Sequence, residues 1–89
     1  MEWTIRTTDT FIESLSQIKS NKRIIHELDK KLQRLKEDPL NTGGWLSGAL
    51  HGKKATRIAQ RYRLIFKPDE KERAVYLILI DHRQHIYDY

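Results

Sequence analysis

Histidine, arginine and tyrosine crowd the last nine residues of the chain, DHRQHIYDY (81–89). This stretch holds two of the four histidines, His82 and His85, and two of the four tyrosines, Tyr87 and Tyr89. Chain ends usually fray and carry dispensable residues. One chemistry would use all three side-chain types at a single site. RNA carries its own nucleophile, the 2′-hydroxyl, so cleavage requires three things: removing that proton, stabilising charge on the phosphorane, and protonating the leaving 5′-oxygen. Histidine suits the proton transfers because its pKa lies near neutrality. Arginine suits the second task, because donors aimed at developing negative charge are often the largest catalytic term. Tyrosine stacks on a base or donates a proton. His82, Arg83, His85 and Tyr87 are therefore candidate catalytic residues as a group. The plainer alternative is that Ile86 and Tyr87 pack the tail on the core, and it is the preferred reading for Tyr89. His26 reads as a surface residue of a helix, and His51 as a loop residue.

A second cluster lies upstream. From His51 to Phe66 the chain carries five basic residues, Lys53, Lys54, Arg57, Arg61 and Arg63, and no acidic one. If KATRIAQRYRLIF is a hairpin turning near Gln60, Arg57 stands opposite Arg63, Ile58 opposite Tyr62 and Thr56 opposite Leu64. Like charges directly opposite are unfavourable, by a few tenths to about 1 kcal/mol. A phosphate between them reverses the sign, since guanidinium groups grip its oxygens in bidentate fashion. Arg61 at the turn, with Lys53 and Lys54 before the first strand, adds positive charge for binding RNA. Solvent-facing strands of small basic proteins also carry such residues. The pattern asks for an anion without saying which.

The elements that must position these groups follow from periodicity. Residues 2–7, EWTIRT, alternate as a short strand. TTD supplies helix-start residues before FIESLSQIK, where Phe11, Leu15 and Ile18 share one helical face. Ser20-Asn21 breaks that helix and caps a second, in which Ile25, Leu28, Leu32 and Leu35 form an apolar stripe. Pro39 and Gly43-Gly44 open a loop that runs to about Gly52, pinned to the core by Trp45, Leu46 and Leu50. Then come KATRIA, RYRLIFK, a turn at PDEKE, and RAVYLILID, whose unbroken apolar run suits a central strand covered on both faces. The expected architecture is α+β: a small four-stranded, mainly antiparallel sheet in the order β-α-α-β-β-β, with the two-helix N-terminal hairpin on one face. Two helices cannot cover both faces, so the other stays partly open for a site.

Eighty-nine residues make a single domain, 1–89. No apolar run approaches the roughly 20 residues that span a bilayer, and MEWTIRTTDTF is too polar for a secretory signal, so a cytoplasmic location is expected. Without cysteine there are no disulfides or thiolate metal sites. No histidine pair has convincing ligand spacing, and Asp81 and Asp88 alone do not make a metal site, so neither metal nor cofactor is expected. A net charge of +5 and a pI near 9.6 point to an anionic partner.

The run LSGALHGKKATRIAQRYRLIF, followed by an apolar strand and HRQHIYDY, resembles the RelE/ParE toxin superfamily over almost the whole chain. LHGKKATRIAQRYRLIF looks most like the YoeB and HigB branches. The tail, with a basic residue four positions before a tyrosine, is closer to RelE. The resemblance implies the toxin half of a type II toxin–antitoxin pair. It would be a ribosome-dependent endoribonuclease that cuts mRNA in the A site, leaves a 2′,3′-cyclic phosphate, and is neutralised by a cognate antitoxin with an acidic segment. It makes Arg63 the phosphate-binding arginine and Arg57 the basic position on the preceding strand. Arg83 and Tyr87 become the tail arginine and tyrosine, and His82 or His85 the acid or base. Lys53 and Lys54 fall near the family's basic pair. YoeB-like members have a glutamate base in the loop before the arginine strands, whereas TGGWLSG has no carboxylate. The alternatives are a ParE-like toxin that binds DNA gyrase without chemistry, against which His82, His85 and Tyr87 argue, and an inactive RNA-binding member.

Overall fold

The structure, a computed structural model, describes residues 2–82. Elements follow in the order β1 (Thr4–Thr7), α1 (Asp9–Ser16), α2 (Lys22–Glu37), a 3₁₀ turn at Pro39–Asn41, β2 (Gly44–Trp45), a second 3₁₀ turn at Gly48–Leu50, β3 (Lys54–Ile58), β4 (Tyr62–Asp69) and β5 (Ala74–His82). All five strands join one sheet in the order β1-β5-β4-β3-β2. Every pairing is antiparallel except β1 with β5, which is parallel. The α+β architecture with a helical pair on one face is as expected, with one strand more. β2 lies in the segment read as loop, where two residues are too few to show alternation. Gly43 admits it: its φ is +71°, and a Cβ there would collide with the Ala55 carbonyl across the pair.

Both helices begin on side-chain caps. Thr8 Oγ1 accepts from the Phe11 N–H at 3.2 Å, and Asn21 Oδ1 accepts from the Ile24 N–H at 3.2 Å. α2 buries Ile24, Leu28 and Leu35, with Leu32 packed beside them. Ile25, expected in that stripe, is only half-buried. The buried spacing i, i+4, i+11 starts one residue earlier and keeps a single helical face. These side chains meet Phe11, Ile58, Leu64, Phe66, Val75, Leu77 and Ile80 in one core between helices and sheet. The run in β5 is therefore packed by helices on one face only, and Tyr76, Ile78 and Leu79 stay half-exposed.

β5 contains an irregularity that decides which residues reach the open face. Phe66 pairs with Leu77 but Ile65 pairs with Leu79, so Ile78 is an extra residue. β1 ends opposite Leu77, and α1 takes over the freed edge of β5 with hydroxyl groups. Thr8 Oγ1 donates to the Leu77 carbonyl at 2.8 Å, and Ser14 Oγ accepts from the Ile80 N–H at 3.1 Å while donating to the Phe11 carbonyl at 2.9 Å. Ser14→Ala leaves the Ile80 N–H without its acceptor and should lower unfolding free energy by about 1 kcal/mol. Chemical denaturation of both proteins measures it, and equal midpoints would show that the bulge does not depend on this hydroxyl.

Candidate nucleic-acid interface

The β3–β4 hairpin turns through residues 59–61 and sets Arg57 opposite Arg63, Ile58 opposite Tyr62 and Thr56 opposite Leu64. That is the expected register. Alternation does the rest. Lys54, Thr56 and Ile58 of β3 are buried beneath the helices, as are Leu64 and Phe66 of β4. Ala55, Arg57, Arg63, Ile65 and Lys67 accordingly take the opposite, open face, on which Ile65 is itself fully buried. Arg57 is exposed and Arg63 half-buried. The Nη1 of Arg63 is buried, with no hydrogen-bond partner among the described residues. An unmatched buried donor is uncommon in folded proteins.

On its other side Arg63 faces Asp81 of β5. The row across three strands is thus Arg57, Arg63, Asp81, with one carboxylate against two guanidinium groups. Asp81 also accepts from the His82 N–H at 2.7 Å. The sequence reading placed His82 in the site. The structure places its ring edge-on to Tyr62, with centroids 5.6 Å apart at 71°. Tyr62 packs against the core, so His82 lies on the helix side of the sheet while Asp81 faces the arginines. Arg83, His85 and Tyr87, with Tyr89, lie outside the described residues.

The basic residues around the pair divide. Arg61 is exposed in the turn next to Gln60, beside Arg23 at the start of α2. Lys53 is half-buried, and its carbonyl accepts from the Leu46 N–H at 2.9 Å. Lys54 leaves the RNA-binding set altogether, because its side chain is 1% exposed. Its Nζ donates to the carbonyls of Pro39 at 3.2 Å and Leu40 at 2.5 Å, and lies 4.9 Å from the centroid of the Trp45 ring. Burial pushes the Lys54 pKa down from 10.5, opposed by the charge of Asp38. Trp45, expected to pin the loop to the core, is 60% exposed. The loop is held instead by this ammonium from beneath. Among the described residues no three His, Asp or Glu side chains form a group able to hold a metal, and no helix is long and apolar enough to cross a membrane.

No family model matches the sequence, and no curated protein matches it significantly. Solved structures do match the fold. A chain of the toxin–antitoxin complex RelBE2 from Mycobacterium tuberculosis superposes with a TM-score of 0.80 at 27% identity, over 93% of this chain and 100% of that one. The chain has the RelE-like toxin fold. YafQ from Escherichia coli gives a TM-score of 0.80 at 12% identity, over 96% of this chain and 98% of its own. A doubly substituted toxin RelE from Escherichia coli, in the free state, gives 0.75 at 17% identity, over 99% and 93%. The resemblance read from LSGALHGKKATRIAQRYRLIF and the RelE-like fold thus agree.

Proposed function

We propose that this protein is the toxin of a type II toxin–antitoxin pair, acting in the cytoplasm as a ribosome-dependent endoribonuclease on mRNA. The observation that carries the reading is the Arg57–Arg63 pair on the open face, with one Arg63 donor buried and unmatched among the described residues. Two guanidinium groups held side by side repel each other until an anion enters, and a phosphodiester offers oxygens to both. Charge building on the phosphorane during attack by the 2′-hydroxyl strengthens those bonds, which makes the pair catalytic as well as binding. Arg61 at the turn of the hairpin and Lys53 at its open end add attraction for the RNA chain. Proton transfer falls to the tail that follows β5, where Arg83, His85 and Tyr87 stand in sequence directly after Asp81 and His82. His82 itself is the least favoured of these, given its place on Tyr62. The likeness to a chain from a toxin–antitoxin complex supports a cognate antitoxin as partner.

The test is direct. Purified protein is added to ribosomes programmed with mRNA in the A site, and new 5′ ends are mapped by primer extension, with naked mRNA alongside. Cleavage confined to the ribosome, upstream ends closing as 2′,3′-cyclic phosphate, is the expected result. A folded protein that cuts neither substrate would overturn the nuclease reading.

A further inference from the structure

The same open face carries a second row that the arginine pair does not use. Arg6 of β1, Tyr76 of β5 and Lys67 of β4 are register partners across three adjacent strands. Arg6 and Lys67 are exposed and Tyr76 is half-buried. The Tyr76 hydroxyl donates to Glu72 Oε1 at 2.6 Å, which steadies the ring. An aromatic ring between two cations on an open sheet suits a single-stranded nucleic acid. The ring takes the face of a base, and the cations take phosphates on either side. Lys67 lies four residues along β4 from Arg63, about 13 Å at the rise of a strand. Between the two rows lie Ile65, which is fully buried, and the half-exposed Leu79, paired with each other and uncharged. Asp69 and Glu70, around the turn, repel phosphate and would end the track there, while the Glu72 carboxylate is taken up by the Tyr76 hydroxyl.

We infer that Arg6, Tyr76 and Lys67 form a base-stacking subsite for single-stranded RNA, extending the track away from the arginine pair. The inference rests on reading this face as RNA-binding, but not on cleavage. An acidic polypeptide would use the two cations and leave the ring idle, so the ring is what favours RNA.

Fluorescence anisotropy with a labelled single-stranded RNA long enough to span both rows tests it, with the full chain and over a range of salt. Tyr76→Leu should weaken binding about tenfold, while Tyr76→Phe keeps the wild-type affinity because stacking needs only the ring. The surface variant Arg6→Ser/Lys67→Ser should flatten the slope of log K against log[salt] by about 1.4, two phosphate contacts at about 0.7 each. If Tyr76→Phe is as damaging as Tyr76→Leu, the bond to Glu72 matters rather than stacking, and the inference fails. It fails equally if the double variant keeps the wild-type salt slope, or if Tyr76→Leu weakens binding of polyglutamate as much as binding of RNA. Wild type that binds RNA through this row yet cuts nothing on the ribosome would sink the nuclease reading alone.

Discussion

Arg63→Ala should lower the cleavage rate on the ribosome by two to three orders of magnitude while leaving the fold as stable as before. The first half follows from geometry. Arg63 stands between Arg57 and Asp81 in the middle of the open-face row, and one of its donors is buried without a partner among the described residues. Removing a donor aimed at developing negative charge typically costs a factor of 10²–10³ in kcat, about 3–4 kcal/mol of transition-state stabilisation. The second half follows from charge. In the free protein Arg63 is repelled by Arg57 on one side and attracted by Asp81 on the other, and cross-strand terms of this size, a few tenths to about 1 kcal/mol, largely cancel. Its alanine variant should therefore melt within about 0.5 kcal/mol of wild type. Single-turnover cleavage on programmed ribosomes and a thermal melt, run on the same two preparations, measure both halves. A variant that cleaves at the wild-type rate would place the site elsewhere. One that is inactive but also unfolded would show that Arg63 is a structural residue.

The arginine pair was legible from the sequence because a tight hairpin fixes register over a few residues, and Gln60 sits at its turn. Ile58 against Tyr62 and Thr56 against Leu64 followed from the same turn. The other side of the site was not legible, and one residue explains why. Counting by twos along β5 from the buried Leu77 turns Ile78 outward, Leu79 inward, Ile80 outward, Asp81 inward and His82 outward, toward the arginines. The extra residue at Ile78 reverses that parity. Ile80 goes into the core, Asp81 faces Arg63 and His82 turns onto Tyr62. No glycine or proline marks the bulge in AVYLILI. Its signal is held in trans by the hydroxyls of Thr8 and Ser14, some 65–70 residues away in sequence, where local reasoning has no purchase. Lys54 misled for a related reason. Composition counts a lysine as surface charge, whereas alternation with Thr56 and Ile58 already assigned it to the core face.

Lys54 is also where the largest loss of stability is expected. Its ammonium is the donor to two backbone carbonyls, of Pro39 and Leu40, and its stem fills space beneath Trp45. Lys54→Ala should cost about 3 kcal/mol, combining orphaned acceptors, lost stem packing and the lost cation–π contact. Lys54→Met restores most of the packing and isolates the contribution of the ammonium. The pH dependence has a definite sign. The folded Lys54 pKa is lowered below 10.5, chiefly by burial. Between that lowered value and 10.5 the unfolded chain therefore binds more protons than the folded one. Stability contributed by Lys54 then rises with pH across that window and is flat below it. Denaturation curves of wild type and Lys54→Met, collected at steps from neutral to alkaline pH, should draw apart in favour of wild type as pH climbs. The Tyr76 pKa is raised, chiefly by its bond to Glu72, but this group is common to both proteins and drops out of the difference. Parallel curves at every pH would mean that the ammonium is solvated rather than buried. The loop from Pro39 to Lys53 would then need another anchor.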